Sequence, residues 1–155
     1  MSLIRPATPA DAPVIARFNL ALAHETEHRE LEPARLLAGV QALLADPARG
    51  FYVLAEVDGV VAGQTMVTRE WSDWRNGHFW WIQSVYVRQE FRGRGLFREL
   101  FEHIKEAARG EGDVCGLRLY VEQGNVIAQT VYEHLGMGRA CYQLMEMDFV
   151  LGGSS

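Results

Sequence analysis

Apolar residues recur along the chain with two periods, and the places where one gives way to the other lay out its elements. Leu3 to Arg5 make a short extended start. Thr8, Pro9 and Asp11 then read as an N-cap, a first-turn proline and a capping-box acid, so a helix should follow. Val14, Ile15, Phe18 and Leu22 share one helical face, and Pro33 opens a second such pattern through Leu36, Leu37, Val40 and Leu44. Phe51 to Val57 is rich in β-formers, Asp58-Gly59 is the dipeptide of a tight type I′ turn, and Val60 to Thr68 runs back. The polar stretch Arg69 to Gly77 ends in Asn76-Gly77 and precedes a buried strand, His78 to Val87, rich in Trp, Ile and Val.

From Gly95 the period becomes helical again: Leu96, Phe97, Leu100, Phe101, Ile104 and Ala108 share a face until Gly110 and Gly112 stop it. Cys115, Leu117, Leu119 and Val121 alternate with Gly116, Arg118 and Tyr120, which predicts a strand. Asn125 should cap a short helix carrying Ile127, Ala128, Val131, Tyr132 and Leu135, ended by Gly136, and Gly138 to Val150 should supply the last strand or two. The predicted order is β-α-α-β-β-β-α-β-α-β, with room for one more strand, and implies an α/β class fold with a mixed sheet flanked by helices. Residues 1–150 read as a single domain and 151–155 as a flexible C-terminal tail.

Composition narrows the function classes. The chain has 155 residues, 48% of them hydrophobic, enough for one domain with a core of its own. A net charge of −5 provides no broad basic surface for phosphates, so nucleic acid is not an expected partner. No window approaches the roughly 18 apolar residues of a membrane span, and the N-terminus has no signal-like apolar run, so a cytoplasmic protein is expected. Cys115 and Cys141 fall in strand-like stretches without metal-ligand spacing; they read as reduced core residues, and no metal is expected.

The candidate chemistry starts at Val85-Tyr86-Val87-Arg88-Gln89-Glu90-Phe91-Arg92-Gly93-Arg94-Gly95-Leu96-Phe97-Arg98: a strand, a turn with two glycines, and a helix start. Such a turn is an anion cradle, because glycines let backbone N–H groups approach a phosphate and the first helical turn offers unpaired donors at the positive end of the helix dipole. Arg92, Arg94 and Arg98 add charge there. Glycines needed only for the turn are the plain alternative. The Gly-Lys-Ser/Thr of a P-loop is absent, and Arg98 stands where a dinucleotide fingerprint needs its third glycine.

The segment resembles motif A of the GNAT superfamily of CoA-dependent N-acetyltransferases, in which an apolar strand ends in a bulge and leads to Q/R-x-x-G-x-G/A. Read from Glu90 the two glycines fit and the first residue does not; read from Arg92 the first residue and Gly95 fit, and Phe97 replaces the final small residue. Downstream, Val121 to Met137 is similar to the family's V-x(3)-N-x(2)-A-x(3)-Y-x(3)-G-[FM], and Ile4 to Ala12 resembles the usual opening.

The resemblance implies a three-layer GNAT-like fold with a splayed central strand pair, and direct transfer of an acetyl group from acetyl-CoA to a primary amine. A catalytically silent CoA-binding sensor or interaction module is the alternative. The resemblance further implies that the backbone of Val85, Tyr86 and Val87 pairs with the pantetheine arm. The N–H groups of Arg92, Gly93, Arg94, Gly95, Leu96, Phe97 and Arg98 would hold the pyrophosphate, and Asn125 would contact CoA, although an N-cap explains it as well. Tyr132 would protonate the leaving thiolate, a core tyrosine being the alternative. Where some relatives carry a basic Glu, five residues before the motif asparagine, this chain has Tyr120; Tyr120, His78, Gln83 and Glu25 all remain conceivable contributors. His24 to Glu30 is a candidate for recognising a cationic amine or else a solvated surface, and Trp71, Trp74, Trp80 and Trp81 for lining an aromatic pocket. Dimerisation is common in the family, but no self-complementary surface is legible here.

Overall fold

The computed structural model describes residues 2–152. Its elements are β1 (Ser2–Pro6), α1 (Ala12–Glu27), α2 (Pro33–Ala45), β2 (Phe51–Val57), β3 (Val60–Ser72), β4 (Gly77–Val87), α3 (Leu96–Gly110), β5 (Val114–Leu119) and α4 (Val126–His134). Two compact units result, one up to Tyr120 and one from Val121 on.

In the first unit the strands form one sheet in the order β1-β2-β3-β4-β5, antiparallel except for the parallel pair β4–β5. Strand periodicity shows how helices cover both faces. Gly63 and Gln64 are neighbours and so point to opposite sides: a side chain at Gly63 would approach Leu100 of α3 at 3.7 Å, whereas Gln64 bonds to Asn19 of α1. On the α1 side Ala12, Ile15 and Ala16 pack with Val40 of α2 and with Tyr52 and Leu54 of β2. On the other, α3 presents the buried Leu96, Leu100, Phe101, Ile104 and Ala108.

Local signals explain most boundaries. The Thr8 N–H donates to the Asp11 carboxylate at 2.7 Å, but this box closes a 3₁₀ turn, Pro9–Asp11, and α1 starts one residue later. Asp58 and Gly59 both have left-handed φ (+51° and +79°), as a type I′ hairpin demands. The polar stretch after Thr68 does not leave the sheet: Arg69 to Ser72 continue β3, pairing with Trp80 to Gly77, because cross-strand partners such as Trp71 and His78 (rings 4.9 Å apart) compensate for its polarity.

In the second unit Asn125 caps α4, its Oδ1 accepting from the Ala128 N–H at 3.1 Å. Gly136 (φ +99°) ends the helix in a Schellman arrangement, with Met137 N–H donating to the Tyr132 carbonyl and Gly136 N–H to that of Glu133. The expected final strand is not formed: Gly138 to Val150 has no strand partner among the described residues, and an extended segment becomes a strand only by pairing. Cys141 is accordingly exposed rather than a core residue, while Cys115 is half-buried in β5; both are free thiols. Of the predicted tail, residues 153–155 lie outside the described residues.

Candidate active site

The ladder between β3 and β4 breaks at one place. Gln64 is paired with Tyr86 and Met66 with Gln83, so β4 carries one residue more than β3 across the interval, a β-bulge. Ser84 within it is left-handed (φ +51°), a conformation that costs a non-glycine residue about 1–2 kcal/mol. Beyond the bulge β4 also loses its other neighbour, since the parallel pairing with β5 ends at Ile82 opposite Leu119. Gln83 to Val87 therefore keep an edge that no strand pairs among the described residues, and such an edge accepts an extended ligand as an additional strand.

The loop after β4 leads to the start of α3. Gly93 and Gly95 both have φ +78°, and a Cβ on either would meet nothing within 4 Å, so glycine is required there by conformation rather than by crowding. Gly95 is the N-cap and supplies no side-chain acceptor, which leaves the first-turn N–H groups of α3 available to an anion. Not all the arginines surround the loop in the same way. Arg92 turns back, donating from Nε to the Val87 carbonyl (2.8 Å), pairing with Glu25 of α1 (3.3 Å) and lying over the Tyr86 ring. Arg94 lies over Phe91, and Arg98 is exposed on α3; Leu96 is buried and Phe97 packs near Phe101. Burial, with the Glu25 carboxylate next in effect, pushes the Tyr86 phenol up.

A cavity of about 430 Å³ lies between α1, α2 and the sheet. Leu22, Leu31, Leu36, Val40, Leu43 and Met66 make it apolar, the exposed Glu27 and Arg35 bring one charge of each sign, and Asn19, Tyr52 and Ser84 form a polar floor. The floor is connected: Asn19 Nδ2 donates to the Tyr52 hydroxyl (3.0 Å), and Gln64 Nε2 donates both to Asn19 Oδ1 and to the Ser84 carbonyl (3.1 Å each). Burial raises the Tyr52 pKa, so its phenol stays protonated and neutral. Ser84 thus belongs both to the cavity floor and to the bulge.

The residues considered as bases are dispersed. His78 is the second residue of β4, about 20 Å along the strand from Ser84. Gln83 donates to Thr68 Oγ1 (2.7 Å), Tyr120 is 56% exposed and stacks on Trp81 (4.5 Å), and Glu25 is engaged with Arg92. Of His24 to Glu30, Glu27 lines the cavity, whereas His24 and Glu30 pair with each other at 2.6 Å. The tryptophans do not form one pocket: Trp80 is buried against Phe51, Trp81 lies on the opposite face, and Trp71 and Trp74 are exposed. Asn125 and Tyr132 both lie in the second unit, on α4 and its cap, and burial raises the Tyr132 phenol pKa.

Asn19, Tyr52, Gln64, Thr65 and Ser84 escaped the reading of motifs. For three of them the sequence carries a signal, an interruption: Asn19 breaks the apolar face of α1 four residues after Ile15, and Gln64-Thr65 sit in the middle of an apolar strand.

Known proteins resemble this chain in sequence and in fold. The model of the Acetyltransferase (GNAT) family matches residues 16–137. An L-methionine sulfoximine/L-methionine sulfone acetyltransferase of Pseudomonas aeruginosa is 33% identical over 138 residues, covering 86% of this chain and 78% of that protein. A possible acetyltransferase from Clostridium difficile superposes with a TM-score of 0.90 at 45% identity, covering 97% of this chain and 99% of that one. A Clostridium acetobutylicum protein described as a predicted acetyltransferase with acetyl-CoA shares the fold (TM-score 0.77, 15% identity, 97% of each chain).

Proposed function

Because the chain belongs to the GNAT family of acetyltransferases and is an acyltransferase enzyme, we propose that it transfers the acetyl group of acetyl-CoA directly to the primary amine of a small amino-acid-like acceptor held in the cavity. The observation that carries this reading is the position of Ser84, where the unpaired edge of β4 and the polar floor of the cavity meet. An acyl donor extended along Val85 to Val87 and an amine resting on Asn19, Tyr52 and Ser84 would be neighbours, which is what proximity catalysis requires. The residues fit CoA in kind: an unpaired strand edge for the pantetheine amides, and N–H groups from Gly93 to Arg98 for the pyrophosphate, with Arg94 and Arg98 adding charge.

In the transfer the neutral amine nitrogen bonds to the thioester carbonyl carbon, the C–S bond breaks, and the proton the nitrogen loses passes to solvent water, from which the proton donor to sulfur is restored. An N–H at the bulge is suited to bear the developing oxyanion, and Tyr132, protonated at neutral pH, would supply a proton to the departing sulfur. An amino-acid-like acceptor is supported by the apolar walls, by Arg35 as a counter-charge for a carboxylate, and by the named substrates of the Pseudomonas relative. The family match crosses the boundary between the two units, which supports treating 1–150 as one acetyltransferase domain. No described helix is long and apolar enough to cross a membrane.

The test is turnover. Incubation with acetyl-CoA and a panel containing L-methionine sulfone, other amino acids, polyamines and peptides should release CoA thiol fastest with an amino-acid derivative, with the acetylated product visible by mass. Preference for a polyamine or peptide would reject this acceptor, and thiol release with no acetylated amine would reject the transfer.

A further inference from the structure

We propose that Gln64, Thr65 and Asn19 are positioning residues: they lock the β4 bulge and so hold the backbone of the splayed strand in register for acyl transfer. Among the described residues, the buried polar side chains are these three, 0%, 0% and 8% exposed. All of them converge on the bulge. Gln64 Nε2 donates to the Ser84 carbonyl at 3.1 Å, the Thr65 hydroxyl donates to the Gln83 carbonyl at 3.3 Å, and Asn19 Oδ1 accepts from the same Gln64 amide.

The bulge creates the need that these residues meet. Where β4 carries its extra residue the regular pairing with β3 is interrupted, and the carbonyls of the half-buried Gln83 and Ser84, with restricted access to water, need donors. Two adjacent side chains of β3 supply them. The cost of this arrangement is visible, since Gln64 Oε1 is itself buried with no hydrogen-bond partner among the described residues. Apolar residues at 64 and 65 would suit a regular strand better; polar ones suit a strand opposite a deliberate irregularity.

Without the lock the extra residue can be absorbed by returning Ser84 to extended backbone. A one-residue slip turns Val85, Tyr86 and Val87 to opposite faces, taking Tyr86 away from Phe18 of α1 (rings 5.1 Å apart) and reversing which N–H groups meet the free edge. The consequence for catalysis rests on the function proposed above; the lock itself does not.

The experiment compares wild type with Gln64→Met, which keeps length and volume but cannot donate, and with Gln64→Met/Ser84→Gly, in which glycine adopts positive φ unaided. Hydrogen–deuterium exchange is read at Gln83 to Val87 and at Phe51 to Val57. Gln64→Met should exchange about tenfold faster in the first segment only, and kcat should fall about tenfold with KM for acetyl-CoA changed less than about threefold. The double variant should regain part of both losses. Unchanged exchange at Gln83 to Val87, an equal loss of protection in both segments, or no recovery on adding Ser84→Gly would overturn the proposal. Should Gln64→Met not fold, Thr65→Val removes the other donor while keeping shape, and an exchange rate there equal to wild type would overturn it as well. Absence of wild-type turnover would sink the proposed function, while the exchange data would still decide the lock.

Discussion

At the scale of single residues, conformation and burial make separate demands at Gly93 and Tyr132. Gly93 has φ +78° in open space, so Gly93→Glu adds left-handed strain and a negative charge at the proposed phosphate cradle without any packing clash. The dissociation constant for CoA, measured by titration calorimetry, should rise at least about tenfold, equivalent to about 1.4 kcal/mol; an unchanged constant would move the cradle elsewhere. Burial lifts the Tyr132 pKa above the phenol's usual value of about 10, so the protonated form persists to higher pH. If Tyr132 is the acid, the alkaline loss of kcat falls above that value, and Tyr132→Phe lowers kcat by about 100-fold across the neutral range. Full activity in Tyr132→Phe would remove it from the mechanism.

At the scale of elements, Asn125 separates a structural role from a ligand role. Its Oδ1 is occupied by the Ala128 N–H, which leaves the Nδ2 donors as the part able to meet CoA. Asn125→Ala should cost about 1 kcal/mol of stability through the lost cap. Asn125→Asp retains the cap acceptor but not the donors, so thermal unfolding should stay near wild type while CoA binding weakens. Helix starts and stops such as this one, and the Asp58-Gly59 hairpin, were legible because they depend on residues a few positions apart. The extension of β3 through Arg69 to Ser72 was not, because its partners lie across the sheet on β4.

For the whole molecule, Arg5 ties β1 to two other places, donating to Asp11 beside the start of α1 and to Glu56 on β2. The Arg5 guanidinium holds the Asp11 carboxyl below its usual range, so the folded pKa is depressed relative to the unfolded chain. The stabilisation is therefore complete above the unfolded value of about 3.9 and is lost as pH falls through the folded value. Melting temperature should drop on acidification below about pH 4, and Asp11→Asn should be less stable at neutral pH with a shallower acid decline. An identical acid profile in both proteins would place the linkage elsewhere.

The sequence by itself determined the succession of helices and strands, the hairpin, the glycine loop and the family, because periodicity, caps and left-handed turns are short-range steric and hydrogen-bonding effects recorded in neighbouring residues. Only the tertiary structure decided that Asn19, Gln64, Thr65 and Ser84 belong to one place, that Glu25 neutralises Arg92, and that Gly138 to Val150 pairs with no strand among the described residues. Pairing and burial join residues tens of positions apart, and a polar side chain inside an apolar strand reveals its purpose only when the irregular backbone beside it is seen.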